Sequence, residues 1–282
     1  YLILIKKMEN IQAVYNGKFD FLDNIKISPL SRAYTFSDSV YEVIPFFKSN
    51  IIAYDKHIER LKKSCAALSF VIDANYIENE ILELINKIGF ENGYVYYQIS
   101  RGVDPIRSHM FDNKLSIETF GYVVEHSFSP QKIKVMISED LRWQRCDIKS
   151  TSLLGNVMSM NQAKDKGCGE VIMHKDNIIT EGGASNVFFT DNDCVYTPSL
   201  SSNILPGITR DLLINKLKEA GIKVEEGKYS LNSLLKSKSI WLTSSTKGLA
   251  LVTDIIDYNL QLDHENIIFK KCETIFRDNF LS

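Results

Sequence analysis

Near the middle of the chain, Lys149 stands in the run Arg145-Cys146-Asp147-Ile148-Lys149-Ser150-Thr151-Ser152-Leu153-Leu154-Gly155. It reads as the end of a short strand, after the apolar Ile148 and just before an apolar-periodic helix. Apolar flanks partly desolvate an amine. Desolvation disfavours the ammonium form and favours the neutral nucleophile that attacks a carbonyl. On its own the residue reads equally as a surface lysine at a strand-to-helix turn, so the other needs of carbonyl chemistry decide its meaning.

Several short stretches could meet those needs. Thr180-Glu181-Gly182-Gly183-Ala184-Ser185-Asn186 joins two strands, with a carboxylate at a strand end and glycines that allow close backbone approach. As an ordinary hairpin turn the same stretch is about as plausible. Leu205-Pro206-Gly207-Ile208-Thr209-Arg210-Asp211 opens a helix, and the first-turn amides of Ile208 and Thr209 favour an anion. Ser244-Ser245-Thr246 ends a strand and offers hydroxyl and amide donors. Arg60 could clamp a phosphate bidentately, or pair with neighbours on a solvated helix face. Arg107 and His109, two residues apart in one loop, could present both side chains to a carboxylate, and equally form a basic surface loop. Lysine, ring-facing carboxylate and phosphate cup are the three things a pyridoxal phosphate enzyme must have.

The elements that must position them follow from periodicity. Strands are expected at Ile25–Ile27, Val40–Phe47, Ile51–Tyr54, Tyr94–Ser100 and Phe120–Val124. Helices are expected at Asp55–Leu68, with Asp55 as N-cap, and at Tyr76–Ile88. The polar stretch 126–131 reads as a linker between a small N-terminal α+β domain, 1–125, and a larger α+β domain, 132–282, carrying Lys149. In the second domain, strands are expected at Ile133–Ser138, Asn186–Phe189, Cys194–Thr197 and Ser239–Thr243. Glu170–His174 and Ile178–Thr180 read as a hairpin, and helices as Ser152–Lys166, Thr209–Ala220 and Glu265–Asn279. No regular βαβ alternation is visible, which argues against a doubly wound sheet and for two α+β domains. Gly167-Cys168-Gly169 follows a helix and lacks a third glycine, so it is no dinucleotide loop, and a P-loop motif is absent.

Composition narrows the classes. A net charge of −2 leaves no basic footprint for nucleic acid or an anionic membrane, and no apolar run is long enough to span a bilayer. Five widely spaced cysteines without Cys-x-x-Cys fit reduced thiols in a cytoplasm, and the five histidines make no metal-ligand spacing. The opening Tyr1-Leu2-Ile3-Leu4-Ile5 lacks the regions of a signal peptide, and Met8 is a candidate start of translation.

Taken in order from about Ser31 to Thr253, these pieces resemble the fold type IV pyridoxal phosphate enzymes, the class IV aminotransferases. Within that group the run Leu141 to Gly155, Val40-Tyr41-Glu42-Val43 and the Arg107-x-His109 pair are most similar to the D-amino-acid aminotransferases. The resemblance implies that Lys149 forms the aldimine with pyridoxal 5′-phosphate and shuttles the substrate proton. It gives the pyridine nitrogen to Glu181, the phosphate to Arg60, Ile208, Thr209, Ser244 and Ser245, and the space beneath the ring to Leu205. Tyr41, Arg107 and His109 would trap the substrate carboxylate, the last two from the partner of a homodimer, with Glu42 as support. The implied reaction is ping-pong transamination of D-amino acids such as D-alanine, with 2-oxoglutarate as acceptor and no metal. A branched-chain L-aminotransferase and aminodeoxychorismate lyase are the alternatives in the same fold. A non-catalytic dimeric binding protein is the alternative in another class, and the intact Lys149 and Glu181 speak against it. Ser37-Asp38-Ser39 stands where relatives have glycines, and the loop 101–109 is a residue longer than the pattern. Pro45 argues for an edge position, and Lys247 falls near the phosphate cup without a role.

Overall fold

The computed structural model describes residues 11–282; the opening apolar run and Met8 lie outside the described residues. The chain divides into two compact units. One takes the described residues up to Ser127 together with Ile148–Ser152, and the other takes Phe128–Asp147 and Leu153–Ser282. The sequence reading gave all of 132–282 to the second domain. Five of those residues, Lys149 among them, pack with the first unit instead. Their reason is local: Ile148 is buried in the first unit's core, Ser150 bridges Val40, and Thr151 N–H donates to the Ser39 carbonyl at 3.0 Å.

The first unit contains β1 (Gln12–Tyr15), β2 (Lys18–Phe21), α1 (Arg32–Phe36), β3 (Ser39–Phe47), β4 (Asn50–Ile51), α2 (Tyr54–Ala67), α3 (Ala74–Asn86), β5 (Gly93–Ser100) and β6 (Glu118–Glu125). Its strands form one antiparallel sheet in the order β2-β1-β6-β5-β3-β4. Alternation sends Val40, Ile44 and Phe46 of β3 and Val95, Tyr97 and Ile99 of β5 to the face covered by α2 and α3. Tyr41, Tyr96 and Tyr122 stack on the opposite face, with centroids 5.5 and 5.1 Å apart. α2 buries Ile58, Leu61 and Cys65 at the expected spacing. Its N-cap, however, is Ala53 in a left-handed conformation, and Asp55 lies in the first turn without capping. α3 starts two residues earlier than its apolar pattern, because the Asp73 carboxylate accepts the Asn75 and Tyr76 amides.

The expected strand Ile25–Ile27 is irregular, with Ile27 half-exposed and no partner strand among the described residues. Ile51–Tyr54 is strand only to Ile51 before α2 begins. Pro45 sits where β3 has β5 on one side and no strand partner at that position on the other, β4 pairing only with Phe46 and Phe47. Tyr41 N–H points outward from β5, so by the two-residue period the missing N–H of Pro45 also lies on the outer side, where it interrupts no ladder bond.

The second unit contains β7 (Gln131–Glu139), α4 (Leu154–Asp165), β8 (Glu170–Lys175), β9 (Ile178–Gly182), β10 (Asn186–Thr190), β11 (Val195–Pro198), α5 (Ile208–Glu219), β12 (Val224–Gly227), α6 (Leu231–Leu235), β13 (Ser239–Ser244), β14 (Gly248–Ile255) and α7 (Ile267–Phe280). Eight strands make a mixed sheet in the order β12-β11-β10-β13-β14-β7-β8-β9. β7 runs parallel to both β8 and β14, and β11 parallel to β12, while the other pairs are antiparallel. Two isolated crossovers therefore exist, β7 to β8 and β11 to β12, without the regular alternation of a doubly wound fold. Phe188, Leu213, Trp241 and Phe269 fill one side of the sheet with α5 and α7; Val135, Ile172, Val187 and Leu242 fill the other. The hairpin β8–β9 turns through Asp176 and Asn177, both at positive φ. β9 and β10 are not hydrogen-bonded neighbours in this sheet, so the Glu181-Gly182-Gly183 link is no ordinary hairpin turn. Among the described residues no helix is long and apolar enough to cross a membrane, and all five cysteines are buried and free.

Candidate active site

Lys149 is not at a strand end. It lies in an irregular stretch along the outer edge of β3, half-buried. Its carbonyl accepts the Tyr41 N–H at 2.9 Å and its own N–H donates to Ser64 Oγ of α2 at 3.2 Å. The backbone is thus fixed on both sides, and the side chain places Nζ 4.2 Å from the centroid of the Tyr41 ring. A cation over an aromatic face is attracted by the ring quadrupole. The two residues that the resemblance assigned separately, lysine and tyrosine, are in contact.

Directly behind Tyr41 in sequence, Glu42 faces the other side of the sheet. It is fully buried against α2, where Arg60 donates Nε to Oε1 and Nη2 to Oε2, each at 2.7 Å, and His57 Nδ1 lies 2.8 Å from Oε2. Burial pushes the carboxyl up, but Arg60 and then His57 overcome it and hold Glu42 at about 2. Burial lowers His57, against the pull of Glu42. Arg60 is therefore not on a solvated helix face. The two-point fork that the sequence reading gave to a phosphate is engaged by Glu42 instead.

Arg107 and His109 are exposed and sit together on Phe36, the guanidinium 4.4 Å above its ring and the imidazole edge-on at 5.3 Å. The loop is held by the buried Arg32, which donates to Asp104 Oδ2 at 3.2 Å and to the Ser108 carbonyl at 2.6 Å. Arg101 is structural: its fork closes on Asp38 at 2.7 and 3.0 Å. Ser37 takes φ +52° as the C-cap of α1.

In the second unit Glu181 is the penultimate residue of β9 and is buried. Arg142 Nη1 donates to its Oε1 at 2.6 Å, while Oε2 accepts the Leu205 N–H at 3.0 Å and Asn186 Nδ2 at 3.2 Å. The Arg142 fork is turned to Asp140, at 2.9 Å from Nε and 2.7 Å from Nη2, and Asp140 also accepts the Thr180 hydroxyl at 2.7 Å. Burial pushes Glu181 up to about 7, against Arg142 and the Leu205 amide; the nearby Asp140 charge adds to the rise. Arg142, Asp140 and Asn186 were not singled out from the sequence. The two-residue spacing of Asp140 and Arg142 just after a strand was the available signal.

Ile208 and Thr209 open α5 and are buried. The helix has no side-chain cap, and its first intrahelical bond runs from Asp211 N–H to the Gly207 carbonyl, so the first-turn amides have no partner inside the helix. Gly207 is required by close approach: a Cβ there would lie 1.9 Å from Asn186 Oδ1. Ser244 ends β13, and its Oγ accepts the Lys247 N–H at 3.2 Å, which leaves the hydroxyl proton free to donate. Leu205, Ser244 and Ser245 are half-buried. So the first unit brings together Lys149, Tyr41 and the Glu42–Arg60 pair, and the second brings together Glu181, Leu205 and the start of α5.

Residues 39–255 match the family described as amino-transferase class IV. A D-alanine aminotransferase of Listeria monocytogenes serotype 1/2a (strain 10403S) is 33% identical over 234 residues, covering 79% of this chain and 80% of the relative. A D-alanine aminotransferase of Bacillus licheniformis is 30% identical over 281 residues, covering 96% of this chain and 98% of the relative. The branched-chain amino acid aminotransferase of Escherichia coli has a similar fold, with a TM-score of 0.87 at 21% identity over 95% of this chain and 94% of that one. The mixed α+β architecture with two sheets is the one that fold type IV enzymes share. By family match and by two relatives at 30–33% identity that the chain covers to 80% and 98% of their length, this chain belongs to the class IV aminotransferases.

Proposed function

We infer that this chain transaminates small D-amino acids, with D-alanine as donor and 2-oxoglutarate as acceptor, using pyridoxal 5′-phosphate in a ping-pong cycle. The observation that carries the substrate reading is the Arg107–His109 pair, presented together by Phe36 on an anchored loop. The D-alanine aminotransferases among the relatives support it.

The donor set suits the cofactor. The uncapped start of α5 and the Ser244 hydroxyl offer neutral donors for a phosphate, and Glu181 offers a buried carboxylate for a ring nitrogen. Ile208, Thr209, Ser244 and Ser245 would hold the phosphate, and Leu205 would pack under the ring. Pyridoxal phosphate, when bound, supplies the electron sink that makes the substrate α-C–H acidic. Lys149 would carry the cofactor and move the proton at that carbon, so only a C–H facing Nζ would be labile. The Tyr41 ring, 4.2 Å from Nζ, would limit where the free amine rests. Glu181, held from both oxygens, keeps the proton at the ring nitrogen. Tyr41, Arg107 and His109 orient the substrate carboxylate. The loop also exposes Ile106 and Met110, which supports a homodimer in which Arg107 and His109 serve the partner's site. Five buried free thiols support a cytoplasmic location.

The test is a half-reaction on the purified protein, following the visible absorbance of the bound cofactor. D-alanine is expected to bleach it, and L-leucine and L-glutamate are not. Lys149→Ala is expected to lose both the band and the activity, and Arg107→Ala to raise KM for D-alanine. Bleaching by L-leucine or L-glutamate in place of D-alanine would overturn the substrate reading and favour the branched-chain group. An unchanged KM in Arg107→Ala would overturn the carboxylate trap.

A further inference from the structure

Lys247 lies in the turn after β13, three residues beyond Ser244, and the mechanism gives it no task. Its Nζ is 2.7 Å from Oε2 of Glu170, the first residue of β8, and Glu170 is completely buried. This differs from the other lysine pairs of the unit, such as Lys216–Glu219 and Lys223–Glu225, whose partners are well exposed. A partly exposed lysine on a buried glutamate seldom stabilises a fold more than apolar residues of similar volume, so stability is a weak reason for it.

Its connections give a better one. The Lys247 N–H donates to Ser244 Oγ at 3.2 Å, so one residue holds the serine by its backbone and the glutamate by its side chain. Oε1 of Glu170 turns towards Gly183: a Cβ at that glycine would lie 2.9 Å from Oε1 and 2.4 Å from Met160 Sδ. Gly183 is fixed in turn by its N–H to the Val171 carbonyl at 3.1 Å and by Asn156 Nδ2 on its own carbonyl at 2.8 Å. Two residues before it stands Glu181. From the Ser244–Ser245 turn the hydrogen bonds run through Lys247 to Glu170, and the next residue, Val171, holds the Gly183 N–H on its carbonyl, all inside the second unit.

We propose that Lys247 is a positioning residue that, through Glu170, sets the spacing between the phosphate-gripping turn at Ser244–Ser245 and the ring-gripping turn at Glu181–Gly183. The inference deepens the cofactor site just described and rests on that reading. A rigid, phosphorylated ring needs both grips at one fixed separation, and a loose strut gives up the advantage of the second grip.

The experiment compares the affinities of the cofactor-freed full chain for pyridoxal 5′-phosphate and for pyridoxal, which lacks the phosphate. The variants are Lys247→Met, Glu170→Gln, the two combined, and Ser244→Ala, with melting temperatures recorded alongside. The double variant leaves no unpaired buried charge and is expected to melt with the wild type. Its preference for the phosphorylated form is expected to fall roughly tenfold, as when a supporting contact behind a ligand group is removed. The single variants are expected to fall by no less, without adding in the double. An unchanged preference in the double variant, with a reduced one in Ser244→Ala, overturns the strut. A loss in Lys247→Met that Glu170→Gln does not share places the lysine on the phosphate itself and also overturns it. An unchanged preference in Ser244→Ala removes the phosphate from that turn, and the strut with it.

Discussion

Glu42 in the first unit and Glu181 in the second are both buried carboxylates opposite a buried arginine, yet one is held at about 2 and the other rises to about 7. Burial acts upward on both, so the difference lies in how each arginine is shared. Arg60 gives its Nε–Nη2 fork to both oxygens of Glu42, and His57 adds a third contact. Arg142 gives Glu181 a single N–H and turns its fork to Asp140, whose own charge works against Glu181 ionising. An undivided fork makes a permanent anion suited to holding structure; a divided one leaves a carboxyl that titrates where proton chemistry happens.

The largest expected break of that contrast is Arg60→Met. It strands Glu42 in the core, and breaking a buried pair from one side costs about 3–5 kcal/mol. Chemical denaturation measures it, and a loss below about 1 kcal/mol would mean that Glu42 is not held chiefly by Arg60.

The pH dependence of the cofactor-free protein comes next, because the two carboxylates pull in opposite directions. Glu181 binds its proton more tightly folded than unfolded. Its contribution is complete below the ordinary value of 4.5 and is lost as pH rises through about 7. At 1.36 kcal/mol for each pKa unit, that is at most about 3 kcal/mol. Glu42 is the reverse: its contribution is complete above 4.5 and is lost as pH falls towards about 2. His57, lowered by burial, adds to that acid loss as pH drops below its ordinary 6.5. Relative to Glu181→Gln, the wild type is therefore expected to weaken between about pH 5 and pH 8. Relative to Glu42→Gln, it is expected to weaken only on the acid side. Parallel difference curves would erase the distinction.

Gly207→Ala tests the contacts that hold Glu181 from its other oxygen. The new Cβ would overlap Asn186 Oδ1, forcing Asn186 to turn away from Glu181 Oε2 and from the Leu205 carbonyl. Overpacking of this kind costs about 1–3 kcal/mol. Glu181 loses a donor, so its titration midpoint is expected to move upward in the same variant.

The sequence reached the individual groups of this comparison better than their partnerships. Periodicity located α2, and the resemblance drew attention to Glu42, Arg60, Lys149 and Glu181. Burial of Arg60 was not legible, because its helix position borders charged Glu59 and Lys63 and only the facing strand decides which side is covered. Chain order alone places Lys149 in the second domain. Three backbone links and the buried Ile148 tie it to the first unit, and such long-range bonds leave no local signature. Three missed strands are more instructive. The β1–β2 hairpin carries Asn16-Gly17 between its strands, both at positive φ, and that dipeptide was a usable signal. β14 lies between β13 and β7, and its run Leu249-Ala250-Leu251-Val252 is buried throughout, so it lacks the alternation by which half-exposed strands are recognised.

The smallest expected effect is also the sharpest test of the divided fork. Thr180 Oγ1 donates to Asp140 Oδ2 at 2.7 Å and lies 3.2 Å from the Met173 carbonyl. Thr180→Val keeps the shape of the side chain and removes that donor, at a cost of about 1 kcal/mol. Asp140 must then draw more of its compensation from Arg142, and the arginine has less to give Glu181. The Glu181 midpoint is therefore expected to rise further, while the Glu42 titration, in the other unit, does not move. Both can be followed through the two difference curves described above. A Glu181 midpoint that stays put or falls would separate it from Asp140, and its elevation would then belong to burial alone, with nothing added by the division of Arg142 between the two carboxylates.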